Sequence, residues 1–158
     1  MKAIRLIALA ACMAATLDAS AQEQEIRLFS HRGGRMEHDE NTFSAFQASY
    51  DAGYRGFETD IRMTRDGALV ITHDSSLERT TDGTGTVEEK TEAEIRRLRT
   101  KQGNKVLFLD ELLEFLEGKE GLYVEFEMKT KPEALYPEER LHAYCDKLYD
   151  AVMAVKPA

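Results

Sequence analysis

The residues of this chain equipped for chemistry are two pairs of carboxylates, two histidines at expected strand ends, and two cations beside them. Glu58 and Asp60 stand two apart in Gly56-Phe57-Glu58-Thr59-Asp60-Ile61. Strand side chains repeat every two residues, so both carboxylates share one side of a sheet. Adjacent carboxylates repel, and both stay ionised only beside a cation or against water. Glu125 and Glu127 repeat the arrangement in Leu122-Tyr123-Val124-Glu125-Phe126-Glu127-Met128. Three or four such groups on neighbouring strands form a hard, oxygen-rich site suited to calcium or magnesium. Zinc fits less well, because the sequence has no cysteine cluster and no closely spaced helical histidines. For Glu58 and Asp60 alone, a water-exposed acidic face is an equally good account.

His31-Arg32-Gly33-Gly34 follows the first expected strand, and His73-Asp74 ends the third. Arginine grips phosphate through its planar fork, and glycines let backbone amides approach the same anion. Two imidazoles at one mouth beside a cation suit phosphoryl transfer, one removing a proton and the other protonating the leaving group. Lys129, two positions beyond Glu127 on the same face, can balance the carboxylates or hold a phosphate oxygen. Alone it reads as a surface lysine. His38, in a polar loop, and His142, on the last helix, are assigned no role.

Alternating strands and helices must position these groups. Ile26–His31 reads as a strand running into the Gly33-Gly34 turn, and Asn41 or Thr42 can cap a helix through Phe43, Phe46 and Tyr50. Strands follow at 56–61 and 68–73, separated by the tight-turn signal Arg65-Asp66-Gly67. After a Thr- and Gly-rich loop from Thr80 to Thr86, Thr91 and Glu94 have capping-box spacing for a short helix ending near Arg99. Asp110 is the expected cap of a helix through Leu112, Leu113 and Leu116. The fourth strand is 122–128, and a last helix over 138–155 places Leu141, Tyr144, Cys145, Leu148 and Val152 on one face. Such alternation argues for an α/β protein with a largely parallel sheet, its polar strand ends forming a mouth.

Composition narrows the partners. Lys2 and Arg5, the apolar run from Ile4 to Leu17 and Ala19-Ser20-Ala21 have the pattern of a secretory signal peptide over residues 1–21. That predicts a secreted or periplasmic chain beginning at Gln22, with lipid attachment at Cys12 after Leu9-Ala10-Ala11 as the alternative. Residues 1–21 hold two basic and one acidic side chain, so their loss moves the net charge from −8 to −9. Such acidity disfavours nucleic acid and anionic lipid. Cys145 is then the lone cysteine, and no other apolar run is long enough for a transmembrane span.

Several separated motifs, in order, resemble the glycerophosphodiester phosphodiesterase family. They are His31-Arg32-Gly33, Glu40-Asn41-Thr42 with Ala45-Phe46, Gly56 to Asp60, Thr64 to Gly67, Val70 to Asp74, Leu77 to Gly85, and Glu127-Met128-Lys129. Asp39 stands where that family often has proline. The resemblance covers most of residues 28 to 129. It implies a (β/α)8 TIM-type barrel that hydrolyses glycerophosphodiesters to glycerol 3-phosphate and an alcohol. By position, Glu58, Asp60 and Glu127 would hold one divalent cation, and His31 and His73 would be the base and acid. Arg32 and Lys129 would contact phosphate, while Glu40 and Asn41 order the mouth. Glu125 has no family counterpart and is a neighbour of the site.

A closed barrel of this type needs about 250 residues, so residues 22–158 are expected to be its N-terminal half. The open edge would invite self-association. Two other readings remain: a related phospholipase D-like lipase, such as the sphingomyelin-cleaving enzymes, and an inactive fragment keeping only metal and phosphate binding. The short Thr80–Thr86 loop and the acidity disfavour the lipase.

Overall fold

The computed structural model describes residues 27–155. The expected leader at 1–21, Cys12 and Ile26 lie outside the described residues. Four strands form one sheet: β1 (Phe29–His31), β2 (Gly56–Met63), β3 (Leu69–Ile71) and β4 (Tyr123–Met128). Among the described residues, four α-helices accompany them: α1 (Phe43–Asp51), α2 (Glu92–Ile95), α3 (Leu109–Leu116) and α4 (Glu138–Ala154). No described helix is long and apolar enough to cross a membrane.

The sheet is built on β2. β1 pairs parallel to it, with His31 opposite Glu58, and β4 pairs parallel along Gly56 to Ile61, with Glu125 opposite Glu58 and Glu127 opposite Asp60. β3 is the exception in the largely parallel sheet. It pairs antiparallel with β2, Ile71 opposite Ile61 and Leu69 opposite Met63. The cause is the short connection, since a parallel return needs a crossover of a dozen residues or more. Here Thr64 Oγ1 donates to Asp66 Oδ1 at 2.6 Å and accepts from the Ala68 amide at 2.8 Å, closing the hairpin at once. Ile61 pairs with both Ile71 and Met128, so β3 shares an edge of β2 with β1, beyond the end of β1. The described sheet is therefore an unclosed α/β arc of three parallel strands with a hairpin appended.

The two faces of the arc are different. Phe57, Ile61 and Met63 point toward the helices and join Phe46, Leu112, Phe115, Tyr144 and Leu148 in the main core. Phe46 meets Phe57 edge-to-face at a centroid distance of 5.9 Å, and both are fully buried, a contribution of roughly 1.5–3 kcal/mol each. The other face presents Glu58, Asp60, Arg62, Glu125 and Glu127. A second cluster of Val70, Leu77, Val87, Ile95, Val106 and Phe108 fixes the 72–108 excursion beneath β3.

Local signals account for most helix ends. Thr42, rather than Asn41, caps α1, accepting from the Ala45 amide at 3.3 Å. Thr91 and Glu94 close the expected box on α2, which ends at Ile95 rather than near Arg99. α3 is capped at Phe108, not Asp110; Glu111 accepts from the Phe108 amide at 3.0 Å. On α4, Tyr144 and Leu148 are buried as expected, whereas Cys145 is exposed.

Gly56 sets how closely β1 approaches β2, because a Cβ there would stand 2.4 Å from the Leu28 carbonyl oxygen. Gly56→Ala is expected to push β1 outward and lower stability by about 1–3 kcal/mol, read as the urea midpoint. An unchanged midpoint would mean the strand pair is looser than the structure has it.

Candidate functional site

The site is assembled at the C-terminal ends of β1, β2 and β4. Arg32 and Gly33 take positive φ of 54° and 74°, turning the chain sharply after His31. A Cβ on Gly33 would lie 3.0 Å from that of Ala45, so glycine lets the turn press on α1. The turn spends its own amides: Gly33 donates to the Ser30 carbonyl at 3.2 Å and Gly34 to that of His31 at 3.0 Å. The expectation that these amides face an anion is corrected accordingly. The Arg32 amide donates to Glu58 twice, to its carbonyl and to Oε2, both at 3.0 Å.

Asp60 is fully buried and lies at the centre. Asn41 Nδ2 donates to its Oδ2 at 2.9 Å, Arg32 Nε lies 3.2 Å from the same oxygen, and Lys129 Nζ lies 3.0 Å from Oδ1. The Arg32 Nε and Oδ1 contacts are close charge contacts rather than aligned hydrogen bonds. Asn41, at φ 57°, also accepts from Thr59 Oγ1 at 3.2 Å, locking its amide toward Asp60. Arg32 Nη1 donates to Glu40 Oε1 at 3.1 Å, so the guanidinium is buried between two carboxylates. Lys129 Nζ reaches Glu127 Oε1 at 2.5 Å. Desolvation opposes its charge, but Glu127 and Asp60 outweigh it and hold the lysine pKa above its ordinary value.

Carboxylate oxygens of Glu58, Asp60 and Glu127 all lie within 4.8 Å of one another. Glu58 Oε1 is buried and has no hydrogen-bond partner. Desolvation, then the charges of Asp60 and Glu127, push the Glu58 pKa up. A bound cation relieves all three costs, and an all-oxygen donor set fits calcium or magnesium. The residues present thus fit a divalent ion. Glu125 sits beside Glu58 in register but is exposed and outside this group.

His31 Nε2 lies 3.5 Å from Glu58 Oε2, with its side chain half exposed. Partial burial, then the Arg32 and Arg35 guanidinium groups, hold His31 below the usual imidazole range. His73 is joined to the cluster indirectly. Its Nδ1 lies 2.6 Å from Asp74 Oδ1, Asp74 pairs with Arg79, and Arg79 pairs with Glu40. Arg79 and Asp74 lie inside motifs that sequence reading had singled out for other reasons.

Arg62 and Glu88 went unnoticed altogether. Arg62 Nη1 donates to Glu88 Oε1 at 2.7 Å, and both are nearly buried. Ser75 Oγ at 2.6 Å and the Tyr136 hydroxyl at 2.7 Å complete the Glu88 carboxylate. Arg62 also donates to the carbonyls of His73 at 2.9 Å and Lys131 at 2.8 Å. It therefore ties the two segments that carry His73 and Lys129. The alternation Glu58, Asp60, Arg62 was a signal for Arg62; Glu88 had none.

Three parallel strands wrapped by helices carry the acids, His31 and the cations, and the segment after antiparallel β3 adds His73, which together define a partial barrel-type α/β site. The chain belongs to the glycerophosphoryl diester phosphodiesterase family, whose pattern matches residues 31–154. A glycerophosphodiester phosphodiesterase of Caldanaerobacter subterraneus subsp. tengcongensis is 36% identical over 123 residues, which are 72% of this chain and 50% of that protein. One from Bacillus altitudinis is 31% identical over 111 residues, 66% of this chain and 45% of its own. An Oleispira antarctica phosphodiesterase, solved in complex with the product sn-glycerol-3-phosphate, superposes with a TM-score of 0.71 at 26% identity, covering 84% of this chain and 53% of its own. The chain spans about half the length of the curated relatives it matches.

Two outcomes follow from the charges. Because the folded pKa of Glu58 is raised, the folded chain takes up this proton more readily than the unfolded one. Its ionisation therefore costs stability above that pKa, and the cost fades as pH falls into the ordinary carboxylate range. Without divalent ions at neutral pH, Glu58→Gln is expected to raise Tm by on the order of a few degrees. Calcium or magnesium should raise Tm of the unaltered chain and not of the variant. Glu88→Gln, which strips Arg62 of its buried counter-charge, is expected to cost about 3 kcal/mol in urea unfolding.

Proposed function

We propose that this chain carries the cation site and proton-transfer residues of a metal-dependent hydrolase acting on glycerophosphodiesters. The products would be glycerol 3-phosphate and an alcohol, a step of phospholipid headgroup turnover. The observation that carries the reading is the Glu58, Asp60 and Glu127 group set against His31, Arg32 and Lys129. The relative solved with sn-glycerol-3-phosphate supports the product class.

A divalent ion held by Glu58, Asp60 and Glu127 would supply positive charge against the phosphoryl oxygens. The remaining work falls to the chain. His31, held below the ordinary imidazole range, is neutral at neutral pH and free to accept the nucleophile's proton. With Asp74 ionised, His73 Nδ1–H donates to it; when the ring carries both protons, the one on Nε2 is given to the departing alkoxide and Nδ1–H stays on Asp74. Lys129 and Arg32 offset charge on the phosphate, each steadied by Asp60. Glu40 and Asn41 hold Arg32 and Asp60 in place. The same base serves water or the substrate's own glycerol hydroxyl; the second route gives a cyclic phosphate that water then opens.

Export to the periplasm or medium, guided by residues 1–21, places the chain among diesters released from lipids. A second reading, binding of cation and phosphate without turnover, is favoured by one fact: the chain spans half of its relatives. Association of two copies along the free edge of β4 would offer a way to close the site.

Hydrolysis of glycerophosphocholine by the purified chain, with calcium, magnesium or chelator, separates these readings. Chelator-sensitive release of glycerol 3-phosphate is expected, reduced about 10²- to 10⁴-fold in His31→Ala. A folded chain that binds the ion but releases nothing would favour the binding reading. Release from intact lipid in preference to the soluble diester would favour the lipase.

A further inference from the structure

Arg79 sits 39 residues from Glu40 in sequence, yet it forks onto that carboxylate with both terminal nitrogens, Nη1 to Oε2 at 3.0 Å and Nη2 to Oε1 at 2.8 Å. Its Nε turns the other way and donates to Asp74 Oδ2. Asp74 Oδ1 meets His73 Nδ1 at 2.6 Å, and Glu40 Oε1 also accepts from Arg32 Nη1 at 3.1 Å. His73, Asp74, Arg79, Glu40, Arg32 and Asp60 thus form one unbroken line in which polar partners and opposite charges alternate.

We infer that Arg79 is a positioning residue: it spaces Asp74 from Glu40, and through them fixes the ring of His73 and the fork of Arg32. The inference deepens the hydrolase reading above and rests on it for its kinetic arm. Only a guanidinium serves, since its planar fork presents donors on two edges, whereas an ammonium is a point charge that cannot align with both carboxylates. The Arg79 side chain is 48% exposed, and ion pairs so open to water contribute little to stability. A merely structural Arg79 would therefore be nearly silent when replaced.

The ring is where the effect should register. An ionised Asp74 beside Nδ1 demands that this nitrogen carry a proton, so the neutral ring is the Nδ1–H tautomer and Nε2 is the nitrogen that takes up, and then gives to the leaving group, the second proton. Arg79, through its hydrogen bond, holds the Asp74 pKa down to about 2, with His73 adding to the effect. Released from Arg79, Asp74 can swing into solvent, and His73 loses the partner that chooses its tautomer.

The experiment is nitrogen NMR of the histidine rings in the full chain, paired with steady-state hydrolysis of glycerophosphocholine in calcium or magnesium. Unaltered His73 should show the Nδ1–H form, shifting toward Nε2–H in both Arg79→Ala and Arg79→Lys. With either variant kcat should fall about tenfold or more and KM change less. An Nδ1–H signal retained in a folded Arg79→Lys chain, or unchanged kcat, would overturn the inference. Should the chain bind the ion but turn over no diester, the hydrolase reading fails while the ring signal still decides the role of Arg79.

Discussion

Taking the Asp60 carboxylate out of water costs several kcal/mol unless charge and hydrogen bonds replace the lost hydration. Its replacements come from three separate parts of the chain. Asn41 arrives from the loop before α1, Arg32 from the turn after β1, and Lys129 from just beyond β4. Each supplies part of the charge and hydrogen bonding that a fully buried carboxylate requires. The demand reaches outward: Arg32, itself buried, needs Glu40, and Lys129 needs Glu127. One buried charge in the central strand thereby dictates the conformation of the mouth.

The register of β2 makes this arrangement possible and also divides its labour. Residues 57, 61 and 63 point toward the helices, and apolar burial there anchors the strand. Residues 58, 60 and 62 point the other way and carry the charges. Within that second series the requirements differ along the strand. Glu58 keeps a buried oxygen without a partner, a cost that a bound ion would relieve. Arg62, two pairs further on, is fully matched by Glu88 and two carbonyls, which makes it a fastener instead of a binding group.

How much of this was legible depended on range. Period-two spacing in residues 56–61 and 123–128 set the carboxylates on one face, and the structure agrees. The Thr91 and Glu94 cap was readable because both partners lie within one turn. The antiparallel return of β3 was legible in Arg65-Asp66-Gly67, a turn too short for a crossover. Arg79 with Glu40 and Arg62 with Glu88 were out of reach. Their separations of 39 and 26 residues leave no periodic trace, and an arginine paired across the fold reads in sequence like any surface arginine.

The free edge of β4 shows how an unclosed arc can still present a chemically ordered site. β4 alternates exposed with half-buried residues, and its exposed face is Tyr123, Glu125 and Glu127. Near the site that face is acidic, so water solvates it at little cost, while Val124, Phe126 and Met128 pack on the helical side. Exposed apolar area on the sheet gathers instead at the opposite end, around Leu28, Phe29 and Tyr123. Of the three clustered carboxylates, Glu58 and Asp60 lie on β2 itself and Glu127 is fixed by its register with Asp60 and by Lys129. Neither fixture depends on a neighbour beyond β4. The carboxylate group lies wholly on the arc, whereas burying a diester from water needs a second wall. The carboxylate group and the enclosure of a substrate therefore place separate demands on the fold.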